Sequence, residues 1–194
     1  MEFIKTYFNE VSAIVEKLDF KIIESIVTDL EKLRFLGGRL FFLGVGGSAG
    51  NASHAVNDFR KLCNIECYAP TDNVSELSAR TNDEGWETVF SSWLETSKIS
   101  KKDAIFILSV GGGNKEKKIS ANLVNAIDLA KSKQAKIFAI VGKSNGYAYK
   151  NADFCIHVPE VNDQRITPHS EAFQAVIWHC MVSHPKLQVN ETKW

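Results

Sequence analysis

The chain has 194 residues, 44% of them apolar and 24% charged, which is enough for one substantial core and too mixed for a disordered or fibrous protein. Its 23 lysines and arginines balance 23 aspartates and glutamates, so no net basic field draws a polyanion, and this argues against nucleic acid as a partner. Four cysteines without a CxxC pair read as reduced core thiols, the opening MEFIKTYFNEV lacks the flanks of a signal peptide, and no apolar run approaches the roughly 20 residues that span a bilayer. The expectation is a cytoplasmic protein with no membrane partner.

In chain order, Phe8, Val11, Ile14 and Leu18, then Ile22, Ile26, Leu30 and Leu33, stand three or four apart. This spacing predicts amphipathic helix over the first 36 residues, as one or two helices joined near Asp19. Beyond Gly37 and Gly38, short apolar runs at 39–43, 104–109, 136–141 and 154–158, with a weaker one at 66–69, read as strands. Their apolar character is continuous, as in strands of a parallel sheet covered on both faces. Helical patterns fill the intervals at 48–64, 74–80, 85–96, 120–132, briefly after Asn145, and 168–184. The alternation predicts an α/β fold, a three-layer doubly wound parallel sheet flanked by helices. One domain is expected over 1–194, with a helical segment at 1–36 and an α/β core at 37–194. In such sheets ligands bind beyond the carboxyl ends of the strands.

Two strand ends are unusual. The first strand empties into Gly44-Val45-Gly46-Gly47-Ser48, where glycines let backbone N–H groups approach an anion and a helix begins with its positive dipole end. This is no P-loop, because GxxxxGK[ST] is absent, and Asn51 stands where GxGxxG would place its third glycine. Another strand ends in Ser109-Val110-Gly111-Gly112-Gly113-Asn114, followed by the lysine-rich 115–118 and then Ile119-Ser120-Ala121-Asn122, with Ser120 placed to cap a helix. Either loop alone is also what an ordinary strand-to-helix turn looks like. Together they favour a phosphorylated ligand.

His54 and Asp58 are four apart on the first of these helices and share a face, while Glu171, Gln174 and His179 recur on the last. Two helices that each offer an imidazole and a carboxylate could close a four-ligand site for zinc or a similar ion, although spacing alone does not bring them together. His169 could face the same pocket or solvent. His157 and His184 read as structural or surface residues, Trp86, Trp93 and Trp178 as packing residues, and Lys115, Lys117 and Lys118 as a solvated loop with a lesser chance of attracting a ligand's phosphate or carboxylate. Asn82 and Asp83 read as a turn leading into a helix.

GVGGS after a strand, the His54-x-x-x-Asp58 helix, the run Asn82-Asp83-Glu84-Gly85-Trp86, Ser120-Ala121-Asn122, Val141-Gly142-Lys143 and the final Thr167, Glu171, His179 helix together resemble the sugar isomerase (SIS) domain, and within it the phosphoheptose isomerases. The likeness covers nearly the whole chain. It implies a flavodoxin-like fold, N-terminal helices that support a homotetramer with active sites at subunit contacts, and conversion of sedoheptulose 7-phosphate to D-glycero-D-manno-heptose 7-phosphate for bacterial surface polysaccharide (lipopolysaccharide or capsule). Position by position it implies Ser48, Ser109, Gly111 and Ser120 on the phosphate with Gly46 and Gly47 beside them, and Asn82, Asp83 and Glu171 on the sugar. It further implies His54, Asp58, Glu171 and His179 on a divalent metal, zinc by the resemblance, with Asp58, Glu171 and His179 as catalytic groups. Three departures from the family pattern stand out: Val45 where asparagine is usual, Asp58 and Glu171 where glutamate and glutamine are usual, and a longer second loop with an apparent insertion between Gly112 and Ile119. The resemblance leaves open a non-catalytic sugar-phosphate sensor or protein-binding regulator, and an isomerase of a different sugar phosphate.

Overall fold

The computed structural model describes residues 1–192. Two helices come first, α1 (Glu2–Lys17) and α2 (Phe20–Phe35), separated where Asp19 caps α2 by accepting a hydrogen bond from the Lys21 N–H at 2.9 Å. The remaining elements are β1 (Arg39–Leu43), α3 (Gly47–Cys63), β2 (Glu66–Tyr68), α4 (Val74–Asp83), α5 (Val89–Thr96), β3 (Ala104–Ser109), α6 (Ala121–Ser132), β4 (Lys136–Val141), α7 (Tyr147–Asn151), β5 (Phe154–His157) and α8 (Ile166–Val182). All five strands pair in parallel in the order β2-β1-β3-β4-β5, which is the expected doubly wound sheet. No helix among the described residues is long and apolar enough to cross a membrane.

Successive side chains of a strand point to opposite faces, and here both faces are covered. Leu40, Phe42, Phe106, Leu108 and Phe138 meet α2, α3 and α8 through Ile26, Leu30, Phe59, Ile177 and Trp178. Phe41, Leu43, Ile105, Ile107 and Ile137 meet α5 and α6 on the other side through Phe90, Leu94, Leu123 and Ile127. Each of these strand residues is essentially inaccessible, which is why the strands read as unbroken apolar runs.

Several boundaries move for local reasons. The single helix expected at 85–96 starts only at Val89, because Gly85 takes a positive φ of 90° and the chain turns there before re-entering helix. Asn82 and Asp83, expected in a turn, form the last residues of α4. Two cysteines fit the core reading, Cys63 and Cys67, and burial pushes the Cys63 thiol up to about 12. Cys180 departs from it, exposed on α8, and Cys155 is half-buried. His169 does not face solvent: it is buried, its Nε2 lies 2.8 Å from Glu10, and Arg165 donates to that carboxylate at 2.7 and 2.8 Å. These charge-assisted bonds, led by the one from Arg165, hold Glu10 well below the usual carboxylate range and tie α1 to the start of α8.

Candidate active site

β1 and β3 are neighbours, so their carboxyl ends deliver both glycine loops to one place. A cleft of about 220 Å³ is lined there by Val45, Ser48, Ser109, Gly111, Ser120 and Glu171. Gly46 takes a φ of 63° at the N-cap of α3, where the helix begins without a side-chain cap. The hydroxyls are oriented in advance. Ser48 is buried and its Oγ accepts a hydrogen bond from Gln174 Nε2 at 3.0 Å, while Ser109 Oγ accepts from the Gly112 N–H at 3.0 Å. A hydroxyl that accepts from the protein keeps its own proton to donate. The cleft therefore presents two O–H donors beside a helix N-terminus, a chemistry suited to an anion.

Ser120 lines the cleft from the N-cap position of α6, but it does not cap the helix as expected: at φ 48° it is left-handed and its side chain makes no capping bond. Gly46 and Gly47 are exposed at the loop's rim. Asn82 and Asp83 do not line this cleft. They lie exposed at the end of α4, with Asn82 Nδ2 donating to Asp83 Oδ1 at 2.7 Å.

Farther along α3 and α8 a second cluster forms. One ligand atom from each of His54, Asp58 and His179 falls within 4.8 Å of the others, and Asp58 lies 3.8 Å from the Nε2 of each histidine. The imidazoles meet edge to face at 5.3 Å between centroids, with Trp178 packed against both. His179 Nδ1 sits 2.8 Å from the Ala175 carbonyl and donates to it, which leaves Nε2 as the free lone pair facing Asp58. Two imidazoles and a carboxylate, one imidazole oriented by a carbonyl behind it, form a donor set that fits zinc with an open fourth position. Glu171 lies outside this group. Its carboxylate points instead into the cleft, where a Cβ on Gly47 would meet it at 2.5 Å.

Asn51 and Gln174, named in the sequence but given no role there, hold the halves in register. Asn51 Nδ2 donates to the Glu171 carbonyl at 2.9 Å and to Gln174 Oε1 at 3.0 Å, and Gln174 in turn sets Ser48. The available signal was spacing, since Asn51 stands three beyond Ser48 and Gln174 three beyond Glu171, polar residues on otherwise apolar helix faces. Trp178 packs as expected, and in doing so backs both imidazoles. Trp86, read as a packing residue, is partly exposed in a second cleft alongside Lys115 and Lys118.

The fold and the paired loops define a sugar isomerase (SIS) type α/β domain. In keeping with that class, the chain superposes on the phosphoheptose isomerase GmhA of Neisseria gonorrhoeae with a TM-score of 0.79, over 93% of this chain and 95% of that one, at 22% identity. No protein-family model matches it. By sequence it is 33% identical over 159 residues to the lincomycin biosynthesis protein LmbN of Streptomyces lincolnensis, a match covering 76% of this chain and 56% of that protein, so it spans little more than half of this relative's length. It is 31% identical over 153 residues to the phosphoheptose isomerase of Akkermansia muciniphila, covering 73% of this chain and 77% of that one. The chain belongs to the phosphoheptose isomerase family.

Proposed function

We propose that the protein interconverts a ketose and an aldose phosphate, with sedoheptulose 7-phosphate as ketose and D-glycero-D-manno-heptose 7-phosphate as aldose, in the supply of heptose for bacterial surface polysaccharide. The observation that carries the reading is the placement of both clusters on the same two helices. Ser48 opens α3 in the anion cleft and His54 follows six residues on, about 9 Å of helix, a separation that a seven-carbon chain bridges between its phosphate and its reacting end.

The cleft fixes the phosphate, so binding energy at the far end orients C1 and C2. Asp58, beside His179, is the group placed to take the proton from C1 and return it to C2 through a cis-enediol, while the proton that leaves O1 is returned at O2. Proton transfer by such a positioned pair is worth about 10²–10⁴-fold. His54, Asp58 and His179 would hold a divalent metal, zinc by the chemistry of the donors. When bound, such an ion stabilises negative charge on the substrate's oxygens. The exposed apolar residues Phe3, Ile4, Phe8 and Phe20 support a homotetramer built on the N-terminal helices.

The test is to incubate the zinc-loaded protein with sedoheptulose 7-phosphate in deuterated water and follow the aldose by NMR. Product carrying deuterium at C2 is expected; binding with neither product nor exchange would favour a sugar-phosphate sensor. Two observations favour a second reading, the same isomerisation on a different sugar phosphate: the similarity to a lincomycin biosynthesis protein and the lysine-bearing loop that lines the neighbouring cleft. A panel of ketose phosphates in the same assay separates the two.

A further inference from the structure

Among the described residues, the anion cleft is lined by the serines at 48, 109 and 120 and by the Glu171 carboxylate, and by no lysine or arginine. A phosphomonoester brings about −1.5 to −2 more at neutral pH, and a cation close by would lower the cost of holding it beside that carboxylate.

A second cleft of about 420 Å³ meets the first at Ser120, and its lining includes Trp86, Lys115, Lys118 and Asn125. Its outer wall is the inserted loop, which is well tied. Asn114 and Ile119 exchange backbone hydrogen bonds at 2.8 and 3.0 Å, Asn114 Oδ1 accepts from the Lys117 N–H at 2.8 Å, and the carbonyls of Gly112 and Gly113 accept from Ala148 and Tyr147. Its lysines are not equivalent. Lys115 is committed to Asp128 at 2.7 Å and lies above the usual lysine range because of that bond. Lys118 has no carboxylate within 4.0 Å among the described residues, although Glu87 lines the same cleft. It stands two residues before Ser120, both residues are held at positive φ, and its flexible four-carbon stem carries a point charge.

We infer that Lys118 supplies the positive charge that retains the substrate's phosphate in the cleft against the carboxylate of Glu171. The inference rests on the cleft being the phosphate site of the proposed isomerase. Lys118 is thus a specificity residue for phosphorylated sugars, carried by the insertion that sets this chain's second loop apart.

Inorganic phosphate titrated calorimetrically into the full chain tests it. Lys118→Gln is expected to weaken binding about tenfold, the loss of one charge-assisted contact. Lys118→Arg should keep wild-type affinity, Lys117→Gln should stay within twofold of it, and Glu171→Gln should tighten binding. Lys118→Gln combined with Glu171→Gln should return close to wild type. In turnover, Lys118→Gln should raise KM for the sugar phosphate and leave kcat in place. Unchanged phosphate affinity in Lys118→Gln, or an equal loss in Lys117→Gln, overturns the inference. Wild-type protein that binds phosphate with this mutational pattern but isomerises no sugar phosphate leaves the Lys118 assignment standing and removes the isomerase reading.

Discussion

The loops after β1 and β3 line one cleft from adjacent strands, yet the first uses residues 44–46 between strand and helix and the second uses 110–120. The short loop has no slack. A Cβ on Gly44 would lie 2.5 Å from the Ser48 carbonyl oxygen, and Ser48 itself is pinned through Gln174 to α8. The long loop is open where it passes the cleft, with nothing within 4 Å of a Cβ on Gly111, and closes farther on as a tied turn between Asn114 and Ile119. The short loop thus positions a helix whose next turns hold His54 and Asp58, while the long loop carries no member of that cluster.

The largest effect should come from the cluster that closes between α3, which the short loop positions, and α8. His179→Ala is expected to lower turnover by about 10²–10⁴ and to cut bound zinc in parallel, read by steady-state assay and by metal analysis. Full turnover in this variant would move the reacting end away from α3 and α8. Gly44→Ala comes next, with about 1–3 kcal/mol of stability lost as backbone meets side chain, measured by urea denaturation. Ser48→Ala should cost about 1 kcal/mol, because the buried Gln174 amide loses its acceptor, and should raise KM for the sugar phosphate more than it lowers kcat. The smallest effect is expected in the long loop, where Gly111→Ala should stay within about 0.5 kcal/mol of wild type. If Gly111→Ala proved as damaging as Gly44→Ala, the contrast between a rigid and an adaptable loop would be wrong.

Much of this was legible beforehand. The strands announced themselves because both faces of the sheet are covered, so Phe41 and Phe42 needed no polar neighbour between them. His54 and Asp58 share a face because a helix repeats every 3.6 residues, and that holds wherever the helix lies. The same rule made Glu171 and His179 look like members of one site. In the structure His179 meets Asp58, whereas Glu171, two turns earlier on α8, reaches the loop at Gly47. Eight residues along a helix separate two side chains by about 12 Å, so shared facing did not make them neighbours.

By itself, then, the amino-acid sequence determined the alternation of strands and helices, the two glycine loops at strand ends, and the pairing of His54 with Asp58, all consequences of local geometry and apolar periodicity. Only the tertiary structure decided that His179 completes that pair, that Glu171 lies with the serines, that Gln174 and Asn51 set Ser48, and that His169 is buried against Glu10. Each of these joins residues more than 100 positions apart, or on helices brought together by packing on one face of the sheet. No local period encodes where two helices approach; the shape of the buried surface between them does.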